Sequence, residues 1–142
     1  MDIITVENQT QLKDAFAIRT EVFVHEQKVP EEEEIDQYED DAIHFVIYDG
    51  DKPVGAGRLR TVEDYGKVER ICIKKDYRKS GAGKLLMDKI EKTAEENQLP
   101  VLKLNAQTQA EGFYQKLGYQ TYSGEFLDAG IPHVAMKKNI KN

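Results

Sequence analysis

Hydrophobic residues at the start of the chain change from strand spacing to helical spacing. A weak alternation over 3–6 predicts a short first strand. From 11 to 24 the apolar residues recur as they do on one face of a helix, which predicts a helix capped by Thr10. The chain is therefore expected to begin with a strand followed by a helix.

The next part of the chain carries the pattern of a β-hairpin. Apolar stretches at 42–48 and 53–59 flank an Asp-Gly turn at 49–51, a dipeptide that favours tight hairpin turns. Gly66 precedes a further stretch at 67–73, which we interpret as a third consecutive strand.

Helical spacing returns twice in the second half of the chain. It predicts a helix over 84–97 and, after a short apolar strand at 101–104, a second helix over 110–117. Gly118 is well placed to end that second helix as its C-terminal glycine. The last strands are expected at 119–122 and 133–137.

This order of elements predicts the fold class. One strand, a helix, three strands, a helix, a strand, a helix and two strands indicate an α/β fold of the α+β type, with helices flanking a mixed, mainly antiparallel sheet. The order differs from the strict alternation of a doubly wound parallel sheet. Neither a repeat nor a linker divides the sequence, so we expect a single domain over residues 1–142.

Composition narrows the classes of function. The chain has no apolar run near the roughly 20 residues of a membrane span, no signal-peptide pattern at its start, and a single cysteine, Cys72. We expect a cytoplasmic protein without a disulfide, a membrane anchor or a metal site. A net charge of -6 argues against nucleic-acid binding, which needs a basic surface.

The negative charge is concentrated in one segment. Residues 25–41 contain nine acids and one base, a balance of -8, so the rest of the chain carries +2. Such a segment is either a solvated loop or a patch that steers a cationic, amine-bearing substrate.

The stretch that carries chemistry is a glycine-containing loop between the predicted strand 67–73 and the helix that follows. In the loop, Arg78 to Gly83, two glycines let a phosphate approach the backbone at the start of the helix, where amide groups are unpaired and the helix dipole favours negative charge. The basic residues Lys74, Lys75, Arg78, Lys79 and Lys84 surround this site.

Two common nucleotide-binding motifs do not fit the loop. A Walker loop needs Ser or Thr after Gly-Lys, but Leu85 follows Gly83-Lys84. A dinucleotide fingerprint needs a third small residue and a later acid, and both are missing.

Two motifs in the right order resemble the GNAT superfamily of N-acetyltransferases. The loop 78–83 is similar to the acetyl-CoA loop Arg/Gln-x-x-Gly-x-Gly/Ala, and the segment 110–119 is similar to the later Ala-x-x-x-Tyr-x-x-x-Gly-Phe/Tyr element. The segments 18–27 and 130–133 look like a bacterial subgroup whose substrates are mostly unassigned.

The resemblance implies a cosubstrate, acetyl-CoA, and a set of site residues. The amides of the loop would hold its pyrophosphate, and a strand pair splayed at the centre of the sheet would bind its pantetheine arm and acetyl carbonyl. Tyr114 would stand near the sulfur as a general acid. The family often has Asn where this chain has Gln107, so either Gln107 or Asn105 would supply that contact. The coenzyme-binding residues are thus expected to be Ile71, Cys72, Ile73, Arg78, Lys79, Ser80, Gly81, Ala82, Gly83, Lys84 and Asn105.

Acetylation of an amine also requires a base. At pH 7 only about one lysine-like amine in 2,500 is neutral, a handicap of roughly 4.6 kcal/mol. Glu69, on the strand beside the expected acetyl site, is the first candidate for the base, with Glu26 and the acids of 31–41 as alternatives. Cys72 has no evident activating partner for a role as nucleophile. The three histidines, His25, His44 and His133, show no metal spacing and are read as packing, hydrogen-bonding or acceptor-site residues.

These observations predict an N-acetyltransferase that moves the acetyl group directly to an amine, with Tyr114 and Glu69 as catalytic residues. Its partners would be acetyl-CoA and an amine-bearing acceptor, for which the acidic segment suggests a cation. The chain would act as a monomer or homodimer. Two alternatives remain open: a non-catalytic acyl-CoA sensor of the same fold, and acyl transfer to a hydroxyl or thiol.

Overall fold

The computed structural model of the protein describes residues 1–140, so the last two residues of the expected domain lie outside the described residues. Eight strands form one sheet in the order β1-β2-β3-β4-β5-β8-β6, with β7 paired to β8. The strands are β1 (Asp2–Thr5), β2 (Ile43–Asp49), β3 (Lys52–Val62), β4 (Tyr65–Ile73), β5 (Val101–Gln107), β6 (Gln120–Thr121), β7 (Phe126–Asp128) and β8 (Ile131–Asn139).

All neighbouring strands are antiparallel except β4 and β5, which run parallel at the centre. The helix α3 connects these two strands, as a parallel pair requires a long crossover. The mixed, mainly antiparallel sheet flanked by helices is therefore confirmed.

Four α-helices lie between the strands. They are α1 (Gln9–Arg19), α2 (Glu31–Glu34), α3 (Ala82–Glu96) and α4 (Glu111–Lys116). Helix α1 continues into a π-helical segment, Thr20–Glu26, where the Gln27 amide donates to the Val22 carbonyl five residues back (3.0 Å). The cap of α1 is Asn8, whose side chain accepts from the Gln11 amide at 2.9 Å, and not Thr10 as the sequence suggested.

The sheet has a core on each face. The larger core packs α3 and α4 against the central strands, and Leu86, Ile90 and Leu102 are completely buried in it. The smaller core packs α1 and the π-helical segment against the opposite face, around Val46, Ala56 and Cys72. Alternation along each strand assigns its side chains to one face or the other. We call these the α3 face and the α1 face.

An irregularity divides β4 into two halves. Arg58 lies opposite Glu69 and Ala56 opposite Cys72, so two residues of β4 oppose the single Gly57. The extra residue is Arg70, which has a positive φ of 60°. This is a β-bulge, a feature that bends a strand and increases its twist.

Most of the expected elements are present, with shifted ends. The Asp-Gly turn joins β2 and β3 as predicted. The strand β7 was missed because it has three residues, two of them exposed. The helix α2 was also missed, since four consecutive glutamates give no apolar spacing.

Candidate functional site

The central parallel pair opens halfway along its length. Strands β4 and β5 pair only from Gly66–Leu102 to Val68–Leu104, although both continue well beyond that point. β5 remains paired with β8 over its whole length. A cavity of about 630 Å³ lies where the two strands separate, lined by residues of both faces. We call this opening the splay.

The loop predicted to bind pyrophosphate borders the cavity at the start of α3. Gly81 caps the helix with φ of 85°, and a Cβ built there would have no heavy atom within 4 Å. The amides of Gly83 and Lys84 donate to no acceptor within residues 1–140. Open space beside unpaired amides at the start of a long helix is what a pyrophosphate group requires.

Gly83 has a different reason to lack a side chain. A Cβ at this position would lie 3.1 Å from the ring of Phe113, so glycine lets α4 pack closely on the first turn of α3. The same contact brings the neighbouring Tyr114 to the cavity.

The charged side chains of the loop differ in whether they form ion pairs. Arg78 forms a two-pronged ion pair with Glu26, both distances being 2.6 Å, and donates to the Ile73 carbonyl at 2.9 Å. Lys84 pairs with Asp88 at 2.9 Å. Lys79 and Ser80 are exposed, and the Ser80 hydroxyl donates back to the Tyr77 carbonyl. Arg78 thus links the loop to the π-helical segment.

The upper half of β4 presents alternate backbone groups to the splay. The Lys74 amide donates to the Val54 carbonyl at 2.8 Å, which makes this pair a hydrogen-bonded one. In an antiparallel ladder, hydrogen-bonded and non-hydrogen-bonded pairs alternate. The backbone amide and carbonyl of Cys72 therefore bond to β3, whereas those of Ile73 point away from β3, toward the splay. The Cys72 backbone is therefore directed into the sheet.

The Cys72 side chain is also enclosed. It is buried in the smaller core, and burial raises the pKa of its thiol to about 12. Since the thiolate is the nucleophilic form, this cysteine stays inert at neutral pH.

Tyr114 lies at the cavity, packed edge-on against Phe113 and Tyr119. Burial raises the pKa of its hydroxyl, which keeps the proton on at neutral pH. Within the described residues its hydroxyl has no hydrogen-bond partner, and it is not fully enclosed. It is available to a bound ligand.

Glu69 lines the cavity, but two arginines hold its carboxylate. Arg60 donates to it at 2.7 Å and Arg58 at 2.7 Å. Burial alone would raise the pKa of Glu69, but the hydrogen bond from Arg60 and the charge of Arg58 outweigh it, so the pKa is lowered. A carboxylate stabilised in this way is a poor proton acceptor, which disfavours Glu69 as the base.

Glu69 belongs to a larger ion-pair cluster under the acidic segment. Each charged member of this cluster pairs with at least one member of opposite charge. We call it the buried charge network: Arg19, Arg58, Arg60 and Arg70 with Glu34, Asp36, Glu39 and Glu69. Three acids of the acidic segment are therefore neutralised inside the protein, whereas its remaining acids are mostly exposed.

His133 is the residue whose importance the sequence understated. It lies on β8 at the cavity, is 7% exposed, and is stacked on Phe126. Its Nδ1 lies 2.6 Å from the Ile131 carbonyl, an acceptor, so the hydrogen is on Nδ1. In the neutral ring the lone pair is then on Nε2, and no described residue bonds to that atom. Only the Gly130–His133 stretch of the resemblance pointed here.

The two candidate amides of β5 differ in availability. Gln107 donates to the Gln27 side chain at 2.7 Å across the splay and accepts from Gln109 at 2.5 Å. Asn105 lines the cavity, is exposed, and bonds to no described residue through its side chain. Asn105 is thus the amide that is free to contact a ligand.

Within residues 1–140 no group of three or more His, Cys, Asp or Glu side chains is arranged to hold a metal ion. None of the helices described is long and apolar enough to cross a membrane.

Comparisons with known proteins place this geometry in context. The family described as acetyltransferase (GNAT) domain matches residues 5–140. The Bacillus subtilis protein YjcF, described as an uncharacterized N-acetyltransferase, is 54% identical, with 98% of this chain and 100% of that protein covered.

Solved structures share the same architecture. A Pseudomonas aeruginosa acyl-CoA N-acyltransferase superimposes with a TM-score of 0.87 at 26% identity, covering 97% of this chain and 99% of that one. An aminoglycoside 6'-N-acetyltransferase solved with coenzyme A gives a TM-score of 0.77 at 17% identity, covering 100% and 98%, and shows the common fold alone.

Proposed function

Because the chain belongs to the GNAT acetyltransferase family, we propose that it is an N-acetyltransferase, acting as a single domain, that uses acetyl-CoA and transfers the acetyl group directly to an amine. The observation that carries this proposal is the convergence on one cavity of the splay, the open first turn of α3 and the hydroxyl of Tyr114.

The coenzyme would bind along the α3 end of the splay. The amides of Gly83 and Lys84 fit its pyrophosphate, with Lys79 and Ser80 at the rim. The outward amide of Ile73 fits the pantetheine arm, whereas the Ile73 carbonyl already accepts from Arg78. The coenzyme supplies the activated thioester. Arg78 is occupied by Glu26 and would position the loop, while its neighbours Gly81 and Ala82 shape the turn.

Proton transfer would use Tyr114 and His133, and not Tyr114 and Glu69 as expected from the sequence. As the amine nitrogen bonds to the acetyl carbon and the carbon–sulfur bond breaks, Tyr114 gives its proton to the departing sulfur. Nε2 of His133 takes the proton lost by the nitrogen, and solvent then restores both groups. His133 fits this role better than Glu69, because its lone pair is free whereas the Glu69 carboxylate is held by two arginines.

Burial affects how well the Tyr114 hydroxyl can act as an acid. A phenol of pKa near 10 is already about 2 kcal/mol too weak to protonate a thiolate of pKa near 8.5 in water. Burial raises the pKa of Tyr114 further, but the same apolar surroundings also disfavour a thiolate, so the two changes oppose each other.

Tyr114→Phe tests the proposal because it removes one hydroxyl and keeps the ring packed between Phe113 and Tyr119. We expect coenzyme affinity and melting temperature to change little, and kcat to fall by about 10²–10⁴. The high-pH limb of the kcat profile should move as well. Tyr119→Phe is the matched control, since its hydroxyl bonds Glu91 away from the cavity.

Two results would count against this reading. A Tyr114→Phe enzyme with unchanged kcat, measured where chemistry limits the rate, would exclude the acid role. Tight coenzyme binding without turnover on any amine, hydroxyl or thiol acceptor would instead indicate an acyl-CoA sensor.

A further inference from the structure

Four basic residues stand side by side across the centre of the sheet. Arg60 is opposite Lys67, Lys67 is opposite Lys103, and Lys103 is opposite Lys137. Residues in register on neighbouring strands point to the same face, and this row lies on the α1 face. We call it the basic row.

Like charges placed opposite one another destabilise a sheet, so the row needs an explanation. Only Arg60 is compensated by a carboxylate, that of Glu69 at 2.7 Å. In the described part of the chain no carboxylate lies within 4.0 Å of Lys67, Lys103 or Lys137, although the protein has 26 acids against 20 bases. Three positive charges therefore stay uncompensated in an acidic protein.

Aromatic rings hold two lysines of the row in place without cancelling their charge. Lys103 Nζ lies 4.2 Å from the centre of the Tyr65 ring, and Lys137 Nζ lies 5.1 Å from that of Tyr122. A ring face attracts a cation but has no net charge, so Lys103 and Lys137 are held in place and remain positive. Neighbouring cations without a carboxylate partner fit an anion.

The basic row reaches the same cavity as the proposed reaction site. Lys67 is among the residues that line the cavity. Along β5 and β8, the row is followed on the same face by the Asn105–Ala135 pair and then by the Gln107–His133 pair. His133 lies four residue steps before Lys137 along β8, a distance of about 13 Å.

We propose that the acceptor amine belongs to an anionic molecule. Its phosphate or carboxylate group binds the basic row at Lys67 and Lys103, and its amine lies near His133. The expected acceptor is a small molecule or short peptide with the anionic group about 10 Å from the amine, a little less than the strand distance. This inference rests on the proposed N-acetyltransferase function and replaces the cationic acceptor suggested by the acidic segment.

Binding can be measured without turnover. With coenzyme A at saturation, so that its pyrophosphate site is filled, the protein is titrated with inorganic pyrophosphate and, separately, with citrate, while backbone amide signals are followed by NMR. Shifts are expected around Lys67, Lys103 and Lys137. The stronger of the two probes identifies phosphate or carboxylate as the preferred group.

The variant Lys67→Gln/Lys103→Gln should weaken binding of the preferred anion at least tenfold. Lys92→Gln, which removes an exposed lysine from α3 on the other face, is the matched control and should bind as wild type. Equal affinity in all three proteins, or no shift at the row with either anion, would overturn the proposal. Melting curves verify that the variants fold.

Turnover gives a second readout. Gly-Gly-Glu and Gly-Gly-Gly-amide present the same terminal amine with and without carboxylates. We expect kcat/KM to favour the acidic peptide at least tenfold in wild type and in Lys92→Gln, and the preference to disappear in the double variant. A preference for a polyamine over the acidic peptide would contradict the inference. Calorimetry with coenzyme A separates the two failures: absent coenzyme binding refutes the proposed function, whereas normal coenzyme binding with no anion preference refutes only the basic row.

Discussion

The buried charge network and the splay differ in how far their charged and polar side chains are paired. In the network, each charged side chain has an oppositely charged partner: Arg19 pairs with Glu34 and Glu39, for example, at 2.7 and 2.6 Å. One carboxylate oxygen, Oε2 of Glu34, is nevertheless buried without a hydrogen-bond partner. At the splay, Tyr114 and His133 keep hydrogen-bonding capacity that no described residue uses. The network holds the most acidic part of the sequence, yet the splay holds the groups that can act on a ligand.

The partners of a charged group therefore decide its role more than the charge itself does. Substitutions in the network should reduce the free energy of unfolding and leave the chemistry of folded molecules intact. Substitutions at the splay should impair the chemistry and leave the free energy of unfolding nearly unchanged.

The largest effect is expected for His133→Ala. Losing the proton acceptor should lower kcat by about 10²–10⁴ with little change in coenzyme affinity. Added imidazole should restore part of the rate, because the variant leaves a space where the ring stood. His25→Ala removes an exposed imidazole and is the control. Unchanged kcat, or a loss that imidazole leaves untouched while the melting temperature collapses, would assign His133 to packing.

Glu39→Gln should have the next largest effect, on stability. Glu39 receives hydrogen bonds from Arg19 at 2.9 and 2.6 Å and lies 3.0 Å from Arg58, and both guanidinium groups are buried. Breaking buried pairs by removing one partner costs about 3–5 kcal/mol, which denaturant unfolding would measure. Glu32→Gln, at an exposed position, should cost less than about 0.5 kcal/mol. Equal midpoints for the two variants would show that the ion pairs of Glu39 contribute no stability.

The buried charge network should also make the free energy of unfolding depend on pH. Burial would raise the pKa values of Asp36 and Glu39, but hydrogen bonds and charge from Arg58 and Arg19 outweigh it, so both pKa values are lowered. A lowered pKa in the folded state adds stability above the unfolded pKa of about 4, and this is lost as the pH falls through the folded values. The free energy of unfolding should therefore drop below about pH 4 in wild type, and less steeply in Glu39→Gln.

Gly81→Val is expected to act at the splay and leave the network intact. The side chain would fill the open space next to the first turn of α3 and would be strained at a φ of 85°. Coenzyme affinity measured by calorimetry should fall at least tenfold. Gly124→Val, at an exposed glycine without a positive φ, is the control. Equal coenzyme affinity in both variants would remove the loop from the binding site.

The smallest effect is expected for the exposed acids of the segment. Glu31, Glu32 and Glu33 belong to no ion pair within the described residues, so changing all three to Gln should alter stability by less than about 0.5 kcal/mol. If the acceptor is an anion, its KM should fall slightly, by less than about threefold, and the difference should shrink with added salt. A raised KM would restore the idea of a cationic acceptor steered by this segment.

Features that depend on residues close together in the chain could be predicted from the sequence. The Asp-Gly hairpin, the glycine loop before α3 and the apolar face of that helix can all be found within short windows. The position of Tyr114 at the cavity also follows from a local motif, whose helix packs against the first turn of α3 through Gly83.

Long-range pairing could not be predicted in the same way. The carboxylate of Glu69 meets Arg58 and Arg60 only because β3 and β4 adopt a particular register, and Glu34 meets Arg19 across fifteen residues of chain. The basic row likewise joins residues of four strands. The free nitrogen of His133 depends on a local contact, with the Ile131 carbonyl, but that contact involves a backbone oxygen and so leaves no pattern in the residue types.

The bulge at Arg70 has a consequence for how this protein can vary. Val68 is the last residue of β4 paired to β5, and the bulge begins two residues later, so the bend coincides with the opening of the cavity. Glu69 and Cys72 both lie on the α1 face. If Arg70 were deleted, only Ile71 would stand between them, so the side chains of β4 would still alternate between the two faces. A chain shortened by that one residue would keep its core and lose the bend that separates the strands. The opening that admits a ligand therefore depends on the number of residues in β4. Deletion of Arg70 should close the sheet, and it should also lower the free energy of unfolding because the ion pairs of Arg70 with Glu34 and Asp36 are lost.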